Sequence, residues 1–86
     1  MNKVTIYTKE TCPYCVMAKK LLTEKGVKEY EEIRVDLHPE EKDKMIARSG
    51  GRMTVPQIFI GETHVGGFDD LTALNRAGNL DLLLRS

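Results

Sequence analysis

Eighty-six residues, 41% of them hydrophobic, suffice for one domain over residues 1–86, near the lower end of what folds on a single core. Thirteen basic and thirteen acidic side chains cancel, which argues against a nucleic-acid binder, whose phosphate contacts call for a basic excess. No stretch is basic and amphipathic enough for a membrane surface, and runs such as Ile58-Phe59-Ile60 and Leu82-Leu83-Leu84 are too short to cross a bilayer.

The opening residues, Met1-Asn2-Lys3-Val4-Thr5-Ile6-Tyr7-Thr8, contain no apolar h-region of a signal peptide. A cytoplasmic location is therefore expected, where thiols are kept reduced and a lasting structural disulfide is disfavoured.

Val4 to Thr8 is β-rich and alternating, which predicts a strand over 3–8. Pro13 suits the first position of a helix, and Val16, Met17, Ala18, Leu21 and Leu22 recur at helical spacing up to Gly26, giving a helix over about 13–25. Tyr30 to Asp36 alternates again, with Ile33 and Val35 two apart, and reads as a second strand. Pro39 opens a second helix over roughly 39–49, with Glu40 and Lys44 in the stabilising i,i+4 orientation. A third strand runs from Pro56 to Ile60, Gly61-Glu62 turns, and Thr63-His64-Val65 makes a short antiparallel partner. After Gly66-Gly67 a last helical region covers Asp69 to Ala77, with a short continuation through Leu80–Leu84.

The order is βαβ, then a helix, then ββα. It predicts an α/β fold in which a four-stranded mixed sheet carries helices on both faces.

Both cysteines lie in one segment, Thr11-Cys12-Pro13-Tyr14-Cys15, where the first strand meets the first helix. Three chemistries compete for them. A structural bridge across two residues closes almost no loop and gains little entropy. Zinc needs two further ligands, and His38 and His64 stand isolated in the sequence, outside any ligand-like spacing, so no metal is expected. Redox catalysis remains the best fit, because C-x-x-C beside a βαβ pattern is its signature. Cys12 is the expected attacking sulfur, since a thiol at a helix N-terminus meets unpaired N–H groups and the positive end of the dipole, both favouring thiolate. Lys9 adds positive charge nearby. Cys15, one turn further in, suits the resolving role and is expected to be less exposed. His38 and His64 are read as surface residues.

Cys12-Pro13-Tyr14-Cys15 resembles the active-site motif of dithiol glutaredoxins, which have a thioredoxin-like fold. Thr54-Val55-Pro56 and Gly66-Gly67-Phe68-Asp69-Asp70 fall where that family places its glutathione site, and the three segments span the chain in the family's order. The resemblance implies a thioredoxin-like fold with three helices and a cis bond before Pro56, turning the Val55 backbone beside Cys12 to pair with the cysteine of glutathione. Without it, Pro56 reads equally well as an ordinary strand-initiating proline. The resemblance further implies that Gly67 and the N–H groups of Phe68 and Asp69 receive the γ-glutamyl carboxylate, while Asp69 or Asp70 pairs with the ligand's amine. Lys9 and Arg52 would meet the glycyl carboxylate at the other end, and Tyr14 would border the sulfurs.

Two positions depart from the family pattern. Met53 rather than a basic residue precedes Thr54, and Phe68 stands where relatives often have cysteine.

The expected activity is that of a glutathione–disulfide oxidoreductase, acting on protein disulfides and glutathione mixed disulfides. Glutathione would be a co-substrate with no tightly bound cofactor, and the protein a monomer. Ribonucleotide reductase is a family-level candidate among its protein substrates. Competing readings are a dithiol recharged by thioredoxin reductase, a copper-type metal chaperone and an iron–sulfur carrier. The absence of tryptophan weighs against the thioredoxin active site. A βαββαβ chaperone would end in a strand rather than in helical sequence.

Overall fold

The computed structural model describes residues 2–85. Strand β1 (Val4–Thr8) leads into helix α1 (Pro13–Glu24), followed by β2 (Glu31–Arg34), α2 (Pro39–Arg48), β3 (Gln57–Ile60), β4 (Thr63–Gly66), α3 (Phe68–Arg76) and α4 (Asn79–Arg85). The sheet order is β2-β1-β3-β4, with β1 parallel to β2 and antiparallel to β3, and β3 antiparallel to β4.

The two inner strands are buried on both faces, so their alternation sorts residues between two cores rather than between core and water. Val4, Ile6, Ile58 and Ile60 pack with Ala18 and Leu22 of α1, Leu71 of α3, and Leu80 and Leu84 of α4. On the opposite face Tyr7 and Phe59 pack with Val35 and with Met45 of α2. The expected mixed sheet with helices on both faces is what forms.

Three expectations need correction. Four helices form among the described residues, not three: Gly78 takes φ +78°, its N–H turns back to the Asn75 carbonyl at 3.0 Å, and α4 starts afresh at Asn79. A left-handed glycine just past a helix is a stop signal, and here it divides the apolar run into two pieces. The second strand is shorter than 30–36, because the Leu37 and His38 N–H groups both return to the Arg34 carbonyl and begin a turn. On α2 the ion pair of Lys44 is with Glu41 (3.2 Å) rather than with Glu40.

Candidate active site at the N-terminus of α1

Cys12 is the N-cap of α1, with Pro13 in the first turn. Thr11 before it holds a left-handed φ of +57°, a conformation that non-glycine residues adopt at some cost and that swings the chain from β1 into the helix. The Cys15 N–H points at Cys12 Sγ, 3.2 Å away. This is the geometry in which Ser or Asp would cap a helix, with sulfur in place of oxygen. An N–H donor and the dipole's positive end favour the thiolate over the thiol when the pair is reduced. The two cysteines are joined as a disulfide, and Cys12 is 8% exposed against 2% for Cys15. Cys12 is thus the outer residue of the pair.

A groove of about 230 Å³ lies alongside, lined by three segments. Tyr14 comes from the first turn of α1, Arg52 and Thr54-Val55-Pro56 from the α2–β3 loop, and Gly67 to Asp70 from the start of α3. The Val55–Pro56 bond is cis, and the Val55 carbonyl oxygen is 3.9 Å from Cys12 Sγ. Across the groove the Tyr14 and Phe68 rings face each other with centroids 6.0 Å apart. Larger hollows exist, of about 740 Å³ against α2 and about 820 Å³ beside the start of β1. Neither contains a cysteine. Cys12 itself lines a further hollow of about 380 Å³ on its other side, with Lys9 and Val16.

Asp70, the third residue of α3, accepts the Gly67 N–H at 2.9 Å and both terminal nitrogens of Arg52 at 3.3 Å. The Gly67 N–H, with Arg52 behind it, holds the Asp70 carboxyl below the ordinary carboxylate range. The sign follows by linkage: a lowered folded pKa stabilises the protein above the ordinary value and is lost as pH falls through the folded one. Asp70→Asn should therefore lower Tm at neutral pH, and the gap to the unsubstituted protein should close as pH falls from about 5 toward 2. Thermal melts across that range check it; a gap independent of pH would remove the carboxylate from the account.

Arg52 therefore stands at the Gly67–Asp70 end of the groove, not at the Lys9 end as expected. The short Ser49 side chain fixes its backbone, accepting the Arg52 N–H and donating to the Arg52 carbonyl, each at 3.1 Å. All the anticipated groove residues converge except Lys9. Lys9 lies on the other side of Cys12, in a hollow shared with Val16 and Lys19. There Lys19 pairs with Glu32 at 3.0 Å. Burial alone would raise Glu32, but the Thr8 hydroxyl at 2.7 Å and Lys19 outweigh it and hold its carboxyl low.

His64 is not the surface residue expected. It is half-buried, its ring lies 4.9 Å from that of Phe59, and its Nε2 is 2.7 Å from Gln57 Oε1. Burial, aided by the Arg52 charge, pushes its pKa down, while Asp70 opposes. His38 is exposed as expected, at the start of α2. Sequence reasoning passed over Gln57, although a carboxamide inside the apolar run Pro56–Ile60 must find partners if buried. Among the described residues no group of three or more His, Cys, Asp or Glu side chains converges as a metal site would require.

Residues 4–65 match the family model for glutaredoxin. The glutaredoxin of Pseudomonas aeruginosa is 58% identical over 84 residues, covering 98% of each chain. Glutaredoxin 3 of Escherichia coli is 55% identical over 85 residues, covering 99% of this chain and all of that one. Among solved structures, the glutaredoxin of Brucella melitensis superposes with a TM-score of 0.83 at 55% identity, covering 98% of this chain and 89% of the other. A buckwheat glutaredoxin–glutathione complex reaches 0.87 at 31% identity, covering 98% and 77%. With a Cys-x-x-Cys pair at a helix N-terminus beside an open groove and full-length similarity to such proteins, the chain belongs to the glutaredoxin family and is a glutathione-dependent thiol–disulfide oxidoreductase.

Proposed function

We propose that Cys12 is the nucleophile, Cys15 the resolving thiol, and the groove from Tyr14 to Asp70 the seat of the glutathionyl group. The observation that carries this reading is the Cys15 N–H directed at Cys12 Sγ, with the carbonyl of Val55, a groove residue, 3.9 Å from that sulfur. With a glutathione mixed disulfide, Cys12 thiolate attacks the glutathionyl sulfur and the substrate leaves as its thiolate. A second glutathione thiolate then attacks that same glutathionyl sulfur, giving oxidised glutathione and free Cys12. With a protein disulfide, Cys12 forms a mixed disulfide and Cys15 thiolate attacks Cys12, releasing the second substrate thiol and leaving the Cys12–Cys15 disulfide for two glutathiones to reduce.

In the groove, the Val55 backbone is oriented to pair with the cysteinyl part of glutathione in the manner of an added strand. The N–H groups of Phe68 and Asp69, at the start of α3, receive the γ-glutamyl carboxylate. Asp70 is already committed to Gly67 and Arg52, which favours Asp69 as partner for the ligand's amine. Lys9, beyond Cys12, is the remaining cation for the glycyl carboxylate. The protein acts as a cytoplasmic, single-domain monomer without a tightly bound cofactor, on glutathionylated and disulfide-bonded proteins, ribonucleotide reductase among the candidates. No helix among the described residues is long and apolar enough to cross a membrane.

The test is the source of electrons. NADPH with glutathione and glutathione reductase should drive turnover, and NADPH with thioredoxin reductase should not. Turnover only with the second couple would overturn the glutathione assignment and leave the dithiol chemistry standing.

A further inference from the structure

Gln57 is wholly buried, and its carboxamide is used at both ends. Its Nε2 donates to the Thr54 carbonyl at 3.0 Å, and its Oε1 faces His64 Nε2 at 2.7 Å. Since the amide nitrogen is spent on Thr54, Oε1 must accept, and His64 must carry a proton on Nε2. The alternative tautomer would set two lone pairs against each other. The carboxamide would then turn over and direct its oxygen at the Thr54 carbonyl, repelling it.

The sheet puts these groups on one face. Phe59 pairs with His64, but Ile58 pairs with Gly66, so Val65 is the extra residue of a bulge. The regular pairs Ile60–Thr63 and Phe59–His64 set His64 beside Phe59, on the face that holds Gln57, and beyond the bulge the chain brings Gly67 to the groove.

We propose that His64 and Gln57 form a positioning pair for the glutathionyl group. His64 selects the orientation of the Gln57 carboxamide, and the carboxamide anchors Thr54 next to Val55, whose backbone faces Cys12. Neither side chain reaches the sulfurs. Their effect falls on recognition of glutathione rather than on exchange chemistry. This rests on the assignment of the groove to glutathione given above.

The experiment compares one peptide carried as its glutathione mixed disulfide and as its mixed disulfide with free cysteine, with glutathione and glutathione reductase as the electron source. Unsubstituted protein should prefer the glutathionylated form. His64→Phe keeps a ring over Phe59 and removes the donor; Gln57→Glu keeps the shape and removes the donor to Thr54. Each should raise KM for the glutathionylated peptide about tenfold, the scale of one lost buried hydrogen bond. kcat, and turnover of the cysteinylated peptide, should stay within about twofold. The double variant should be no worse than the worse single, because both act through one contact.

If Gln57→Glu does not fold, His64→Phe carries the test, with cysteinylated turnover reporting its integrity. Unchanged KM, or equal slowing on both peptides, would overturn the positioning role. Absence of any preference in the unsubstituted protein would instead overturn the glutathione groove, and this pair's role with it.

Discussion

Cys12→Ser should lose both disulfide reduction and deglutathionylation, whereas Cys15→Ser should keep deglutathionylation and lose protein-disulfide reduction. The expected loss at Cys12 is at least about a thousandfold, because a serine hydroxyl at that cap is neither ionised near neutrality nor comparably nucleophilic toward sulfur. That corresponds to roughly 4 kcal/mol of barrier, more than any contact in the groove supplies. The asymmetry follows from position. Cys12 has the N–H of Cys15 aimed at its sulfur and is the more exposed of the pair. Cys15 contributes that N–H from its backbone, which serine retains, so Cys15→Ser leaves the attacking thiolate supported. Steady-state rates of the two variants on a glutathionylated peptide and on a protein disulfide decide it. If Cys15→Ser loses both activities equally, the division between nucleophile and resolving thiol is wrong.

Much of this arrangement is legible in the sequence because it depends on local rules. Pro13 after Cys12 marks a helix start, and the β-rich run Val4 to Thr8 marks a strand; neither needs knowledge of the rest of the chain. What depends on cross-strand register is not legible in the same way. His64 looks like a polar residue on an edge strand until its cross-strand pairing with Phe59 sets its ring against that residue and within reach of Gln57. Long cations resist prediction for another reason. Lys9 and Arg52 were expected at one end of the groove, but Arg52 is drawn to Asp70 by a pinned backbone at Ser49, an outcome no spacing rule contains. Gly78 shows a third kind of limit. Glycine after a periodic run is a known stop, yet the apolar residues beyond it continue the pattern, so one helical region and two separate helices look alike. The cis bond before Pro56 is legible only through family resemblance.

The two adjacent glycines of the Gly66-Gly67 turn should respond very differently to alanine. Gly66→Ala is expected to destabilise the protein by about 1–3 kcal/mol and to open the groove, whereas Gly67→Ala should be tolerated. Gly66 takes φ +115°, a region in which a side chain is strained whatever the space around it. A Cβ there would also lie 2.8 Å from the Asp70 carboxyl carbon and 3.1 Å from Arg52 Nη1. The Asp70–Arg52 pair would have to move, and with it the carboxylate that accepts the Gly67 N–H and caps α3. Gly67 has φ −87°, open to any residue, and its nearest contacts for a Cβ begin at 3.6 Å. Its substitution leaves the backbone N–H donors of Phe68 and Asp69 in place. Gly66→Ala should therefore combine a lower Tm with a higher KM for glutathionylated substrate, and Gly67→Ala should change Tm little. Equal effects at the two positions would mean that groove shape does not depend on the left-handed turn at Gly66, and that the Asp70–Arg52 pair can yield without loss of the site.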